Sequence, residues 1–129
     1  MSPTILIVED NEINRRMLKD VLIYYGYTII EADNGLTGIE MAKEHKPDLI
    51  LMDIQMPVMD GFAATSQLKN DPETREIRIV AVTAFAMDGD RERILANGAD
   101  GYIAKPLDIK ELPLTIKKIL AGPPTTFTS

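Results

Sequence analysis

The alternation of strand and helix in this chain can be read first in residues 4–22, TILIVEDNEINRRMLKDVL. Residues 5–8 are all apolar and mostly β-branched, which predicts a strand covered on both faces, as the strands of parallel sheets are. Gly26 marks the place where the following helix should end. Apolar residues recur at helical spacing before it, and they predict one buried helix face made of Ile13, Met17, Leu18, Val21 and Leu22.

The same alternation continues along the rest of the chain. Further strands are predicted at residues 28–30, 49–52, 79–82 and 102–104. Further helices are predicted after residues 33–35, behind the capping residue Asp60, over residues 90–97 up to Gly98, and from Asp108. The core residues expected in these helices include Leu36, Ile39, Ala42, Phe62, Ala63, Leu68, Leu112, Ile116, Ile119 and Leu120.

Repeats of strand and helix joined by right-handed crossovers predict an α/β fold. We expect a five-stranded, doubly wound parallel sheet with the flavodoxin-like strand order 2-1-3-4-5. Residues 1–121 carry the repeats, whereas residues 122–129 lack a core-forming pattern, so we expect one folded domain and a disordered tail. Pro113 lies too deep in a helix that begins at Asp108, and it either removes a hydrogen bond or makes the helix start later.

The composition narrows the classes of function. A chain of 129 residues is long enough for one domain and too short for a second, output domain. The net charge of -6 disfavours direct binding to nucleic acid or to an anionic membrane, and no apolar stretch approaches the roughly 20 residues of a membrane span. The absence of cysteine excludes thiolate chemistry and fits a reducing compartment. We therefore expect a cytoplasmic protein that contacts neither nucleic acid nor membrane.

The residues that directly follow the predicted strands carry the chemistry. Ligands of open α/β sheets bind at the carboxyl ends of the strands, where the strand order reverses. Glu9, Asp10 and Asp53 would bring three carboxylates close together at this edge. Such carboxylates repel one another by about 1 kcal/mol per pair in water and by more at lower dielectric, so they need a cation. Hard oxygen ligands in small number suit Mg²⁺. The residues expected at this edge are Glu9, Asp10, Asp53, Thr83 and Lys105.

This set of residues suggests phosphoryl chemistry. The carboxylate of Asp53 could attack a phosphoryl group whose charge is neutralised by a metal ion and by Lys105. The hydroxyl of Thr83 and the backbone N–H of Ala84 could donate hydrogen bonds to the phosphoryl oxygens. The expected product is an acyl phosphate on Asp53.

Several motifs together resemble the receiver domains of two-component response regulators. The resemblance extends over residues 4–121. Residues 81–87 (AVTAFAM) with Gly89 and Asp90 are similar to the stand-alone cell-division regulators of the DivK type. The motifs that carry the resemblance are residues 5–11 (ILIVEDN), 51–57 (LMDIQMP), 59–61 (MDG), 82–84 (VTA), 98–99 (GA) and 102–106 (YIAKP).

The resemblance implies a phosphoacceptor signalling domain that is not an enzyme in the usual sense and that assists its own phosphotransfer and dephosphorylation. Asp53 would receive the phosphoryl group from a histidine kinase or a histidine phosphotransfer protein. Glu9, Asp10, Asp53 and the backbone carbonyl of Gln55 would hold Mg²⁺, directly or through water. Lys105 would sense the phosphate. Many receivers have aspartate where this chain has Glu9, and this difference affects the water-mediated geometry of the metal.

The resemblance also implies a switch. Thr83 would move toward the phosphoryl oxygens, and Tyr102 would rotate inward into the vacated space. A cis peptide is implied between Lys105 and Pro106. Phosphorylation would change the affinity of one face for a downstream protein target, in a chain that is a monomer or a weak, phosphorylation-dependent dimer. Gln55 and Phe85 occupy positions that tune phosphoaspartate lifetime in this family.

Simpler interpretations exist for single residues. Glu9 and Asp10 alone could be an acidic pair that caps a helix, Thr83 a helix cap, Lys105 a surface lysine, and Tyr102 ordinary packing. A basic group on the first helix is most simply a solvated helix face, or else it contacts an acidic patch on a partner kinase; its members are Arg15, Arg16 and Lys19.

Three other functions compete with the receiver. A phosphatase or transferase of the haloacid dehalogenase type needs a second aspartate two residues after the nucleophile, where this chain has Gln55. A nucleotide or flavin binder needs a glycine-rich phosphate loop after Val8, and none is present. A receiver-like scaffold that is never phosphorylated remains possible, although every reactive position carries a competent residue.

Overall fold

The structure is a computed structural model that describes residues 2–56, 59–83, 88–105, 107–121 and 127–128. Strands and helices alternate along these residues. The strands are β1 (Thr4–Val8), β2 (Thr28–Ala32), β3 (Leu49–Asp53), β4 (Arg78–Thr83), β5 (Gly101–Ala104) and β6 (Phe127–Thr128). The helices are α1 (Glu12–Tyr24), α2 (Gly35–His45), α3 (Gly61–Asn70), α4 (Asp88–Ala96) and α5 (Leu112–Ala121).

The strands form one sheet in the order β2-β1-β3-β4-β5-β6, and every pairing is parallel. The predicted order of the first five strands is therefore confirmed. β6 is an additional two-residue strand in which Phe127 pairs with Gly101 at the edge of the sheet. The sequence did not predict it, and residues 122–126 and 129 of the expected disordered tail lie outside the described residues.

Both faces of the sheet are covered, as the apolar runs of the strands predict. Ile5 and Ile7 belong to a core shared with α1 and α5, whereas Leu6 and Val8 belong to a second core shared with α2 and α3. A smaller cluster packs Ile94 of α4 against β4 and β5. None of the helices in the described ranges is long and apolar enough to span a membrane.

The helix ends follow from local chemistry. The side chain of Asp60 accepts a hydrogen bond of 2.9 Å from the backbone N–H of Ala63 and caps α3, as predicted. Asn11 and Asn34 cap α1 and α2 in the same way. Gly26 has a φ of +94°, a left-handed conformation that favours glycine, directly after the end of α1.

The expected helix faces and the start of α5 differ in part from the sequence-based expectation. Ala63 is exposed, and its neighbour Ala64 is buried instead. Ile13 and Leu36 are 79% and 48% exposed, because each lies in the first turn of its helix and off the face that meets the sheet. α5 begins at Leu112 instead of Asp108, so Pro113 lies in the first helical turn, where its missing N–H costs no hydrogen bond. Asp108 instead forms the preceding turn, in which its side chain accepts from the backbone N–H of Lys110.

Candidate functional site

The carboxyl edge of the sheet brings the predicted site residues together. Glu9 and Asp10 directly follow β1, and Asp53 is the last residue of β3. β1 and β3 are neighbours in the sheet, with Val8 paired to Met52, so Glu9 and Asp53 end the two strands at the same level. Because β2 and β3 lie on opposite sides of β1, this edge is also where the strand order reverses.

Three carboxylates converge at this edge. Glu9, Asp10 and Asp53 each place a carboxylate oxygen within 4.8 Å of the other two. Glu9 and Asp53 are only 3% and 4% exposed, whereas Asp10 is exposed. The cluster is thus buried on the side of the sheet and reachable from solvent on the side of Asp10. We call these three residues the acidic cluster.

Lys105 places its ammonium among the acidic residues. Its Nζ lies 3.4 Å from Oδ1 of Asp53 and 3.7 Å from Oε2 of Glu9. Its backbone N–H donates a hydrogen bond of 2.7 Å to the carbonyl of Thr83, which extends the pairing of β4 and β5 by one residue. The interpretation of Lys105 as an unconnected surface lysine is therefore wrong.

The backbone around Asp53 is tightly packed. The backbone N–H of Gln55 donates to Oδ1 of Asp53 at 3.2 Å, and Gly61 donates its N–H to the carbonyl of Ile54 at 3.0 Å. A Cβ on Gly61 would lie 2.3 Å from the carbonyl oxygen of Asp53, a distance that no side chain tolerates. Glycine at position 61 therefore allows α3 to start directly against the end of β3.

Two residues of α1 hold Glu9, and sequence reasoning missed both. Asn14 donates its Nδ2 hydrogen to Oε1 of Glu9 at 3.3 Å, and Arg15 donates from Nη1 to the backbone carbonyl of Glu9 at 2.8 Å. Arg15 also forms an ion pair with Glu31 of β2. The expectation that Arg15 belongs to a solvated helix face is wrong, whereas it holds for the exposed Arg16. Helical spacing offers a partial signal, because Arg15 lies three residues before the buried Leu18, whereas Arg16 lies on the opposite side of α1.

The pKa of Glu9 is raised from its ordinary value of 4.5 to about 7, and burial is the largest cause. A hydrogen bond to Asp53 and the negative charge of Asp53 contribute to the same increase, whereas Lys105 and Asn14 oppose it. One ammonium group is thus insufficient to stabilise three carboxylates at this edge. The donor set consists of hard carboxylate oxygens with one side open, which fits a magnesium ion better than a softer metal.

Thr83 is the last residue of β4 at the carboxyl edge, and Tyr102 lies in the neighbouring strand β5. Thr83 is 1% exposed and lines a cavity of about 360 Å³ together with Gln55, Phe62 of α3, and Arg93 and Ile94 of α4. Tyr102 is 2% exposed and packs with Ile54 and with Ile94 of α4. Both residues lie between the carboxyl edge and α4, where the switch was expected, but their movement stays a prediction.

Part of the expected site lies outside the described residues. These parts are Ala84 with its backbone N–H, Phe85, and the peptide bond between Lys105 and Pro106. The side chain of Gln55 is exposed.

A flavodoxin-like sheet whose carboxyl edge carries an acidic cluster and a lysine is the arrangement of a receiver domain. The family model for the response regulator receiver domain matches residues 5–117, and the chain therefore belongs to this family. Receiver domains are phosphoacceptor signalling domains of two-component systems, and they bind Mg²⁺ and interact with histidine kinases or phosphotransfer proteins.

Among curated proteins, the chain is similar to the polar-differentiation response regulator DivK of Brucella anthropi. The two sequences are 48% identical over 120 residues, which is 93% of this chain and 98% of the relative. The resemblance to the DivK type inferred from the sequence is thereby confirmed.

Solved structures agree with the fold. The receiver domain of a sensor histidine kinase from Pseudomonas aeruginosa PAO1, with a magnesium ion coordinated in its active-site cleft, superposes with a TM-score of 0.87 at 34% identity. This match covers 95% of the present chain and 100% of that domain. The chemotaxis protein CheY4 of Vibrio cholerae also has a TM-score of 0.87, at 25% identity, over 92% of this chain and 99% of its own.

Proposed function

We propose that this receiver accepts a phosphoryl group on Asp53 from the phosphohistidine of a kinase or phosphotransfer protein, and that the product changes its affinity for a downstream protein. The observation that carries the proposal is the position of Lys105 Nζ, which lies 3.4 Å from Oδ1 of Asp53. The carboxylates of Glu9 and Asp10 lie close to that of Asp53. A carboxylate that served only as a polar strand end would not need two further carboxylates next to it.

The transfer step uses Asp53 as the nucleophile. One of its carboxylate oxygens attacks the phosphorus atom, a P–O bond forms, and the P–N bond to the donor imidazole breaks. The imidazole nitrogen keeps the electron pair of that bond and takes up a proton. Lys105 neutralises negative charge at the reacting carboxylate, and the N–H of Gln55 orients it. In hydrolysis, a water oxygen attacks the phosphorus and Asp53 leaves as a carboxylate, so the domain assists both its phosphorylation and its dephosphorylation.

Glu9, Asp10, Asp53 and the backbone carbonyl of Gln55 are the residues that would hold Mg²⁺. The chemistry that the ion supplies when bound is neutralisation of the charge on phosphoryl oxygens. The proximity of the three carboxylates supports this assignment, as does the raised pKa of Glu9, which reflects burial first and the neighbouring Asp53 second. The magnesium ion in the related Pseudomonas domain supports it independently.

The switch would run from Asp53 to α4. Thr83 and the N–H of Ala84 would donate to the phosphoryl oxygens, and Tyr102 would respond to the movement of Thr83. The support is positional, since Tyr102 packs against Ile94 of α4. The face made of α4, β5 and α5 would then change its preference for a partner.

The test is the intact mass of the protein after incubation with acetyl phosphate, with and without Mg²⁺. We expect one added phosphoryl group that requires Mg²⁺ and that is absent from Asp53→Asn. Asp33→Asn is the matched control, because Asp33 is an exposed aspartate that directly follows β2 at the same edge of the sheet. A folded, Mg²⁺-binding protein that gains no phosphoryl group would contradict the proposal and favour a constitutive scaffold.

A further inference from the structure

We propose that Arg15 is a positioning residue, which orients the Glu9–Asp10 segment so that both side chains can bind the metal ion. The inference rests on the proposed function and adds to it a residue outside the acidic cluster. Arg15 touches neither the reacting carboxylate nor any side-chain oxygen of the cluster among its described contacts. Its effect is exerted through the backbone.

Arg15 forms a bridge between two strands. Its Nη1 donates to the carbonyl oxygen of Glu9 at 2.8 Å, and its Nε lies 3.4 Å from Oε1 of Glu31. The side chain of Arg15 is 19% exposed, so solvent competes weakly for these contacts. Glu31 is also held by Lys19, whose Nζ lies 3.1 Å from Oε2. The guanidinium is therefore fixed at one end by an anchored carboxylate.

The anchored guanidinium of Arg15 restrains the peptide unit between Glu9 and Asp10, two of the residues that would hold the metal ion. The carbonyl of Glu9 belongs to the peptide bond between Glu9 and Asp10, so its direction sets the directions in which the two side chains leave the backbone. The preceding peptide unit is fixed separately, because the N–H of Glu9 donates to the carbonyl of Ala32 at 3.1 Å. Arg15 thus restrains the next peptide unit on the way from the end of β1 to the start of α1.

The charge of Arg15 has the opposite effect on metal binding. A positive charge near a cation site weakens cation binding, so removal of the charge alone should tighten it. Removal of the carbonyl restraint should weaken it, since loss of groups that orient ligands lowers metal affinity by about 10-fold or more. Lysine keeps the charge but lacks the planar fork that reaches two acceptors in different directions. The two effects can therefore be separated experimentally.

The experiment is a calorimetric titration of the full chain with Mg²⁺. We expect Arg15→Lys, which keeps the charge, to raise the dissociation constant by about 10-fold. Arg15→Gln also removes a positive charge near the site, so we expect it to cause a smaller increase. Arg16→Lys and Arg16→Gln are the matched controls, because Arg16 is the adjacent, exposed arginine, and we expect changes within about twofold. Arg15 variants with unchanged or tighter Mg²⁺ binding would overturn the inference.

A second variant keeps the test decisive if substitution of Arg15 prevents folding. Glu31→Gln leaves Arg15 in place and removes its anchor, and we expect it to raise the dissociation constant by about threefold or more. A folded Glu31→Gln protein with wild-type Mg²⁺ affinity would contradict the inference. A merely structural role would lower the melting temperature without changing the affinity of the folded protein for Mg²⁺.

Failure of the proposed function gives a different result. In that case the wild-type chain itself would bind no Mg²⁺ or would gain no phosphoryl group from acetyl phosphate. If instead the wild type does both and the Arg15 variants match it, only the inference about Arg15 is wrong. For Arg15→Lys we also expect the phosphorylation rate to return to within about twofold of wild type at saturating Mg²⁺.

Discussion

Lys105 and Asp53 follow strands that are not neighbours, yet their charged groups lie 3.4 Å apart. β4 lies between β3 and β5, so the long side chain of Lys105 has to cross the end of β4 to reach Asp53. This relationship requires both the order of the three strands and their common parallel direction. The resulting ion pairs place a positive charge beside the acidic cluster.

Removal of the Lys105 ammonium should slow phosphorylation. We expect Lys105→Gln to lower the rate of phosphoryl transfer from acetyl phosphate by at least about 10-fold, because charge at Asp53 is no longer neutralised. The rate is measured by intact mass at fixed Mg²⁺. Lys110→Gln serves as the control, because Lys110 is an exposed lysine in the turn before α5. Equal rates for the two variants would show that the Lys105 ion pairs do not assist the transfer.

The raised pKa of Glu9 should make the metal-free protein less stable as the pH rises. Between 4.5 and about 7 the folded protein binds a proton that the unfolded chain has released, so the free energy of unfolding falls across this range. We expect Glu9 to contribute a loss on the order of 2 kcal/mol, measured by urea unfolding in the presence of a chelator. Glu9→Gln should flatten the dependence. A wild-type stability that rises from pH 5 to pH 7 as steeply as that of Glu9→Gln would contradict this expectation.

Gly61 should tolerate no side chain. Gly61→Ala places a Cβ 2.3 Å from the carbonyl oxygen of Asp53 and 2.8 Å from Cα of Ile54, so backbone atoms must shift. We expect a loss of stability of about 2 to 3 kcal/mol together with slower phosphorylation. Gly38→Ala is the comparison, since its Cβ would meet only side-chain atoms of Val8, at 3.0 Å and beyond. A loss at position 61 no larger than the loss at position 38 would argue against the backbone clash.

The ion pair between Lys69 and Asp100 should matter more than an exposed pair. Nζ of Lys69 donates to Asp100 and to the carbonyl of Ile77, both at 2.8 Å, and the same carboxylate accepts from the N–H of Ile79. We expect Lys69→Met to lower the free energy of unfolding by about 2 kcal/mol, because buried acceptors lose their donor.

Lys43→Met provides the control for Lys69→Met. Lys43 pairs with Asp71 at 3.2 Å, but its side chain is 46% exposed. An exposed pair of this kind is typically worth at most about 1 kcal/mol. Urea unfolding of both variants measures the difference, and similar losses would show that the Lys69 network is not special.

The predictions that succeeded depend on local sequence. The apolar runs at residues 5–8 and 49–52 predict buried strands because they are short, rich in β-branched residues and apolar on both faces. Asp60 and Gly26 mark helix ends because one side chain is enough to cap a helix, and one glycine is enough to adopt the positive φ that ends it. The residues that follow the strands could be collected into one site because parallel strands share a carboxyl edge.

Several features could not be predicted, because they depend on distant parts of the chain. Helical spacing places Arg15 nearer than Arg16 to the buried face of α1, but its contacts with Glu31 on β2 and with the carbonyl of Glu9 appear only in the structure. Ile13 is exposed because α1 extends beyond the sheet at its first turn, and helical spacing does not reveal how far a helix extends. The short strand β6 likewise depends on a free edge at β5.

By itself the sequence determined the succession of strands and helices, the parallel sheet and the identity of the reactive residues, since these follow from hydrophobic spacing and from the positions directly after the strands. Only the tertiary structure decided how the reactive groups are held. The distance from Lys105 to Asp53, the raised pKa of Glu9 and the bridge from Arg15 to Glu31 all arise between residues on different strands and helices. Charge interactions depend on separation and burial in three dimensions, and neither quantity is encoded in the spacing of residues along the chain.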